Sequence, residues 1–207
     1  MVASSILASR TTKADADGST SALFQSDTRI RQKMKKEVYK DRKYEIVSYD
    51  PEWPRRFELY ADKVRKIFGP EVQIEHIGST SVPGMSGKPC IDVLVVVDMK
   101  IVESHTQELL AAGFVDAGEF VMKGSHLFRV MNGHEPIVNI HFFPPGHSHV
   151  VQMIAVRDFL RSHPEEVTTY SKIKDELFVK FADDYSAYRE NKDKYMHELI
   201  KRALAKS

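Results

Sequence analysis

Residues 72–98 read VQIEHIGSTSVPGMSGKPCIDVLVVVD, and the rest of the chain is organised around them. The segment opens with a strand, Val72 to Ile77, and passes through a turn of small residues with room for a short helix, Gly78 to Lys88. It ends in a second strand, Cys90 to Val97, which is an almost unbroken run of Ile, Val and Leu. Such a run is typical of a strand buried on both faces. The segment therefore predicts two strands of one core joined by a glycine-containing turn.

Asp92 is the one ionisable residue in that apolar run, and it lies near its start. A carboxylate beside a buried strand is costly unless a metal, a cation or hydrogen bonds compensate it. Gly78 and Ser79 follow the first strand, at a position where backbone N–H groups can face a phosphate. The turn and the acid together indicate nucleotide chemistry.

Composition narrows the classes of protein that fit. The chain has 207 residues, which corresponds to one domain, or one domain with an appendage, and its 42% apolar content is enough for a single core. Thirty basic and 29 acidic residues give a net charge of +1, so a nucleic-acid partner is not expected. No apolar run reaches the roughly 18 residues of a membrane span. Cys90, the single cysteine, is predicted to be a packed thiol in a reducing compartment, which favours a cytoplasmic location.

The first 43 residues differ from the rest. Met1 to Asp27 is rich in Ser, Thr, Ala and Asp, and Arg29 to Lys43 is strongly basic. A secretory signal is excluded because there is no continuous apolar segment, and the interspersed aspartates argue against a mitochondrial presequence. We expect residues 1–43 to be a disordered, basic tail whose removal leaves stability nearly unchanged, and residues 44–207 to be the folded domain.

Hydrophobic periodicity predicts the remaining elements. A helix begins after Asp50-Pro51 and ends at Gly69, and a second helix covers Val102 to Ala112. The other predicted strands are Glu45–Tyr49, Ser125–Met131, Ile137–Phe143 and His149–Ile154, and the later helices are Arg157–Ser162, Glu165–Phe181 and Ala187–Ala205. The order indicates an α+β fold, in which a mixed β-sheet with flanking helices is followed by a C-terminal helical lobe.

Three stretches carry a family resemblance: HIGSTSVPGMSGKPCIDVLV (76–95), NIHFF (139–143) and RDFLRSHPEEVTTYSKIK (157–174). In this order, between residues 44 and 205, they resemble the GrpB family of the nucleotidyltransferase-fold superfamily. The superfamily pattern is Gly-Ser at the start of a short helix, Asp-x-Asp on a strand, and a third acid on a later strand. Gly78, Ser79 and Asp92 match it. Leu94 stands at the second acid position, and the later strand offers Asn139 or His141 instead of a carboxylate.

The resemblance implies a nucleotidyltransferase-like fold that binds a nucleotide such as ATP, or another phosphorylated ligand, with Mg²⁺. Two carboxylates on one strand face would hold two metal ions, whereas a single carboxylate can hold one ion with help from water and substrate phosphates. Leu94 therefore makes a two-metal transfer doubtful. The candidate catalytic residues are Asp92, also the candidate Mg²⁺ ligand, and His141, which could act as a base, hydrogen-bond the substrate or ligate a softer metal. The candidate phosphate-contacting residues are Gly78, Ser79, Thr80, Lys88, Arg157 and Lys174.

Structural roles compete with these assignments. Ser79 could cap a helix, Asp92 could cap backbone N–H groups, and His76 and His141 could be core histidines. Lys88 could be a solvated lysine. Basic residues of the helical lobe, including Arg157 and Lys174, could line an anion site or form ion pairs with Asp158, Glu165 and Glu166.

Two other functions remain open at this point. One is a non-catalytic nucleotide-binding or accessory module, with a link to coenzyme A metabolism because some bacterial GrpB-like domains are fused to dephospho-CoA kinase. The other is a metal site of His141, His147 and His149, with His126 or His134 as a further ligand. Whichever holds, we predict that Asp92 and His141 meet across neighbouring strands, at a cleft between the sheet and the helical lobe.

Overall fold

The structure is a computed structural model and describes residues 43–119 and 122–206. The prediction of a disordered tail lies, apart from Lys43, outside these residues and stays a prediction. The described helices are α1 (Trp53–Phe68), α2 (Met99–Ser104), α3 (Thr106–Ala111), α4 (Ser148–Ser162), α5 (Pro164–Lys180) and α6 (Tyr185–Leu204). The strands are β1 (Gln73–Ile77), β2 (Ile91–Val96), β3 (Val115–Asp116), β4 (His126–Asn132) and β5 (Glu135–Phe143), and a short 3₁₀ helix covers Ser79–Ser81. None of the helices in this part of the chain has the length and apolar character needed to cross a bilayer.

The five strands form one sheet in the order β1-β2-β5-β4-β3. β2 and β5 are parallel, and every other neighbouring pair is antiparallel. The predicted mixed sheet and α+β class are therefore confirmed. In the β2–β5 register Asp92 is opposite Asn139, and Leu94 is opposite His141.

Side chains alternate along the central strands β2 and β5, so each of their residues belongs to one face of the sheet. One face is covered by α1 and carries the main core, which includes Trp53, Phe57, Ile91, Val93, Val95, Ile140 and Phe142. Leu94 lies on the opposite face, fully buried with Ile77 and Phe143 against Val150 of α4. The position of the missing second acid is thus part of an apolar contact between the sheet and α4.

The helical lobe, α4 to α6, has its own core. Phe159, Tyr170 and Leu199 pack there with Val82 and Met85, which belong to the segment between β1 and β2. This segment is consequently held between the sheet and the lobe. Side chains of α5 and α6 can therefore contact the segment that leads into β2 and Asp92.

Tyr44 connects the start of the folded region to the lobe. Its ring packs against Phe178, Tyr185 and Tyr188, with centroid distances of 5.2, 4.8 and 4.9 Å. Its hydroxyl donates a hydrogen bond of 2.7 Å to the carbonyl oxygen of Phe181.

Four local predictions were wrong or incomplete. His149–Ile154 is not a strand but the first part of α4, whose start is capped because Nδ1 of His147 accepts from the N–H of His149. The predicted strand Glu45–Tyr49 is reduced to a single bridge between Val47 and Gly87. The predicted helix 102–112 is two helices, α2 and α3, which meet at His105. The two-residue strand β3 was not predicted.

Candidate active site

Asp92, the second residue of β2, is the centre of the candidate site. Its Oδ1 accepts hydrogen bonds from Nδ2 of Asn139 at 2.9 Å and from Nε2 of His141 at 3.1 Å, both on β5. The prediction that Asp92 and His141 approach across neighbouring strands is confirmed. The Asp92 side chain keeps 30% of its surface exposed, so a ligand can reach it.

The surroundings of Asp92 keep it ionised at neutral pH. Burial by itself raises the pKa of this carboxyl group, but the hydrogen bonds from His141 and Asn139 and the charge of Lys88 outweigh burial. The pKa of Asp92 is therefore lowered below its ordinary value. A stable anion at this point would repel a phosphate unless a cation lies between them.

His141 acts on the carboxylate rather than towards a ligand. An ionised Asp92 requires a hydrogen on Nε2 of His141, which leaves Nδ1 as the nitrogen that faces away from the carboxylate. Nδ1 is buried and has no hydrogen-bond partner among the described residues. The contact that the structure gives His141 is an internal hydrogen bond to Asp92, which was not among its three predicted roles. Its buried Nδ1 is not placed to act as a base, to bond a substrate or to ligate a metal.

Gly78 brings the Gly78–Ser79 turn into direct contact with the acid. Its φ of +73° lies in the region that L side chains rarely adopt, and a Cβ atom there would lie 2.6 Å from Oδ2 of Asp92. Only glycine lets the turn approach the carboxylate so closely. The two sequence features that indicated nucleotide chemistry are therefore parts of a single site.

Replacing Gly78 with alanine is expected to lower the free energy of unfolding by about 1–3 kcal/mol for the strained backbone alone, plus a further loss for the collision with Asp92. Gly84→Ala is the matched control, because Gly84 has a similar φ of +79° but no atom within 4 Å of the added Cβ. Urea unfolding of both variants separates the two contributions. Equal losses would show that Gly78 is needed only for its backbone conformation.

Lys174 of α5 attaches this turn to the helical lobe. Its Nζ donates to Oγ of Ser79 at 3.1 Å and to the carbonyl oxygen of Ser86, and only 2% of the residue is exposed. Burial, followed by the charge of Lys192, lowers the pKa of Lys174 to about 7, although Asp175 opposes the change. Two predicted site residues, Ser79 and Lys174, are thus in direct contact.

Lys88 is also held beside Asp92. Its Nζ donates to the Tyr185 hydroxyl group at the start of α6 and lies 4.9 Å from the centre of that ring. Lys88 contributes to the low pKa of Asp92. The alternative of a freely solvated lysine does not hold, since Lys88 is fixed by the lobe near the carboxylate.

Comparison with known proteins shows the family of this chain. The sequence profile of the GrpB protein family matches residues 43–202. This chain belongs to the GrpB family. It is similar to UPF0157 protein BH1888 of Halalkalibacterium halodurans, with 33% identity over 162 residues that cover 77% of this chain and 82% of the relative. UPF0157 protein YqkA of Bacillus subtilis is 31% identical over 161 residues, which cover 77% of this chain but only 47% of YqkA.

A solved structure shares the fold. The crystal structure of conserved protein GrpB from Enterococcus faecalis superposes with a TM-score of 0.73 at 30% identity, covering 78% of this chain and 98% of that one. The sheet and helical lobe described above are therefore the fold of a GrpB protein.

Two predicted phosphate-contacting residues of this GrpB-family chain have partners inside the protein instead. Thr80 is buried, and its Oγ1 lies 3.0 Å from Nε2 of His76. Arg157 donates to Oε2 of Glu75 at 2.6 Å and to Oδ1 of Asp158 at 2.7 Å, and its side chain is 10% exposed. The ion-pair alternative therefore describes Arg157 better than an anion site does.

His76 is a packed core histidine. Its ring stacks on Phe57 with centroids 4.6 Å apart and an interplanar angle of 4°. Burial lowers the pKa of His76 to about 4, so the ring is neutral at physiological pH.

The described residues do not form the histidine metal site that was held open. They contain no group of three or more His, Cys, Asp or Glu side chains placed to share an ion. His147 is used as the cap of α4, and His126 bonds Oδ1 of Asp116 at 2.6 Å. For Mg²⁺, Leu94 is buried in the apolar contact with α4 and provides no ligand, so Asp92 could contribute its one carboxylate to a single ion but not to a pair of ions.

Proposed function

We propose that this GrpB-family chain binds a nucleotide or another phosphorylated small molecule, with its phosphates against the Gly78–Ser79 turn and Asp92. The observation that carries the proposal is the contact between the turn and the carboxylate, which excludes even a Cβ atom at Gly78. Close backbone approach of this kind leaves N–H groups available to phosphate oxygens. Lys88 adds a cationic group near Asp92, and the buried Lys174 holds Ser79 of the turn in place.

Asp92 makes a cation part of the proposal. A carboxylate and a phosphate repel each other, so a bound phosphate near Asp92 requires a positive charge between them. Asp92 would hold a single Mg²⁺ ion, which would offset the charge of the phosphates when bound. Asn139 and His141 hold the carboxylate in place, and Lys174 holds the turn, so both sides of the site are fixed before a ligand arrives.

Transfer of a nucleotidyl or phosphoryl group is the finer form of the proposal. The second candidate is a binding module without catalysis, which two observations favour. Leu94 removes the second metal ligand, and Nδ1 of His141, the nitrogen not bonded to Asp92, is buried. A bound nucleoside triphosphate mixed with hydroxyl or amine acceptors distinguishes the two, because nucleotidyl transfer releases pyrophosphate, phosphoryl transfer releases a nucleoside diphosphate, and a binding module releases neither.

A thermal-shift screen tests the binding proposal. Nucleotides and coenzyme A precursors are added to the full chain with Mg²⁺ or with a chelator, and we expect at least one to raise the melting temperature only with Mg²⁺, since a ligand that binds the native state stabilises it. Ser79→Ala should weaken the binding of that ligand by about 0.5–1.5 kcal/mol, the size of one hydrogen bond. No stabilisation by any of them at millimolar concentration would contradict the proposal.

A further inference from the structure

A cavity of about 530 Å³ opens beside the candidate site. Its walls are residues 43–45, Arg56 of α1, residues 88–90 before β2, and Asn132 and residues 135–137 of the β4–β5 hairpin. The volume lies in the range of about 300–1,000 Å³ that small-molecule sites occupy. Asp92, Ser79 and Lys174 do not line it, so it is separate from the turn and the acid.

Two residues join the wall of this cavity to Asp92. Cys90 lines the cavity, and its Sγ is 3.3 Å from Nδ2 of Asn139, the same amide nitrogen that donates to Asp92. Lys88 also lines the cavity, and its charge lowers the pKa of Asp92. A molecule in the cavity would therefore contact residues that themselves act on Asp92, the carboxylate that we place next to the phosphates.

The lining indicates the class of molecule that fits. Three side chains are cationic, those of Lys43, Arg56 and Lys88, against the two carboxylates of Glu45 and Glu135. The guanidinium of Arg56, 49% exposed and 3.5 Å from Asp50, presents the paired donors that recognise a carboxylate, sulfonate or phosphate.

The remaining wall has a different character. It is formed largely by Tyr44, Pro89, Pro136 and Ile137, which offer a ring and aliphatic surface. Tyr44 is fixed by its packing on the lobe and by its bond to Phe181, so its face of the cavity is preformed. A ligand that satisfies both parts of the lining has an anionic group and an apolar body.

We propose that this cavity is a second ligand site, which binds a small organic anion with an apolar body next to the phosphate site. The inference rests on the proposed function only where it calls the neighbouring site a phosphate site. The cavity itself does not depend on the proposed function. The anionic group lies against Arg56, and the apolar body lies against Tyr44 and the β4–β5 hairpin.

The test uses 1-anilinonaphthalene-8-sulfonate, an aromatic sulfonate whose fluorescence rises in an apolar site, titrated into the full native chain. Arg56→Glu is expected to weaken its binding about tenfold or more, which corresponds to the loss of one charge-assisted contact. Arg55→Glu is the matched control: it makes the same charge change one residue away, on a side chain that is 69% exposed, pairs with Glu52 and does not line the cavity. N-phenyl-1-naphthylamine, which lacks the sulfonate, should bind weakly to the wild type and discriminate little between the variants.

Unchanged near-ultraviolet circular dichroism shows that the dye reports the native state in each case. Equal weakening by Arg55→Glu and Arg56→Glu, or no weakening by either, would overturn the proposal. Displacement of the dye by Mg²⁺-nucleotide would also overturn it, because the cavity would then belong to the nucleotide. If no nucleotide binds at all while the dye still distinguishes the two variants, the proposed function fails and the second site stands.

Discussion

Asp92→Asn should abolish the Mg²⁺ dependence of nucleotide binding, and any transfer activity should fall by orders of magnitude. Asparagine keeps the shape of the side chain, and its carbonyl oxygen can still accept from Asn139 and His141. What it removes is the charge that we assign to the metal. Calorimetric titration of the wild type and the variant with the nucleotide found by the thermal-shift screen, each with Mg²⁺ and with chelator, measures the effect directly.

Asp116→Asn is a close control for this experiment. Asp116 also pairs with a histidine across strands, at 2.6 Å from Nε2 of His126, but it has no contact with the turn at Gly78. It should leave Mg²⁺-dependent binding intact. If Asp92→Asn behaves like Asp116→Asn, with a lower melting temperature and unchanged binding per folded molecule, Asp92 is a structural acid and the metal role is wrong.

The central part of this fold could be predicted because its signals are local. β2 was predicted as Cys90–Val97 and is found at Ile91–Val96, since an uninterrupted apolar run leaves few alternatives. The same holds for α1, which was predicted between Asp50-Pro51 and Gly69 and is found at Trp53–Phe68. The meeting of Asp92 with His141 followed from placing two polar residues on neighbouring buried strands.

Contacts between distant parts of the chain could not be predicted in this way. Lys174 and Ser79 are 95 residues apart, and Lys88 and Tyr185 are 97 apart, so no periodicity or spacing links them. Lys88 and Lys174 were candidates only through their charge or through the family resemblance, Ser79 was a candidate through its place after the first strand, and Tyr185 was not predicted. Gly87 was missed, although a Cβ atom there would lie 2.7 Å from the Cβ of Ser79. A glycine in a turn shows a need for space or for unusual backbone angles, but not which neighbour requires it.

The error at His149–Ile154 has a similar cause. Val150, Val151 and Ile154 favour a strand by their intrinsic preference, but tertiary contacts decide otherwise. Val150, Met153 and Ile154 recur at three- and four-residue spacing, and α4 places them together against Leu94 and Phe143. The sequence therefore contained the helical spacing, but the prediction gave more weight to the β-branched residues.

Lys174 should make the stability of the protein rise with pH above neutrality. Burial lowers the pKa of Lys174 from 10.5 to about 7 in the folded chain. Below pH 7 the amine is charged in both states, and the folded state bears the full cost of burying that charge. Between about pH 7 and pH 10 the unfolded chain holds a proton that the folded chain lacks, so raising the pH favours folding. The slope for one group is at most about 1.4 kcal/mol per pH unit.

The variant Lys174→Met isolates this contribution because it removes the titrating group and roughly keeps its volume. Its free energy of unfolding, measured in urea at intervals from about pH 6.5 to pH 9.5, should lack the rise seen in the wild type. The variant also leaves Oγ of Ser79 and the Ser86 carbonyl without their donor, so its deficit relative to the wild type should be smallest near pH 6.5, where the wild type bears the burial cost, and largest near pH 9.5. Lys172→Met, on an exposed face of the same helix with a 77% exposed side chain, should run parallel to the wild type throughout.

The raised pKa values of Tyr44 and Tyr188 affect stability only above about pH 10, outside this window, because their unfolded forms ionise there. Parallel curves for the wild type and Lys174→Met would mean that the lysine is charged in the folded protein at every pH tested, held so by Ser79 and Ser86 despite its burial.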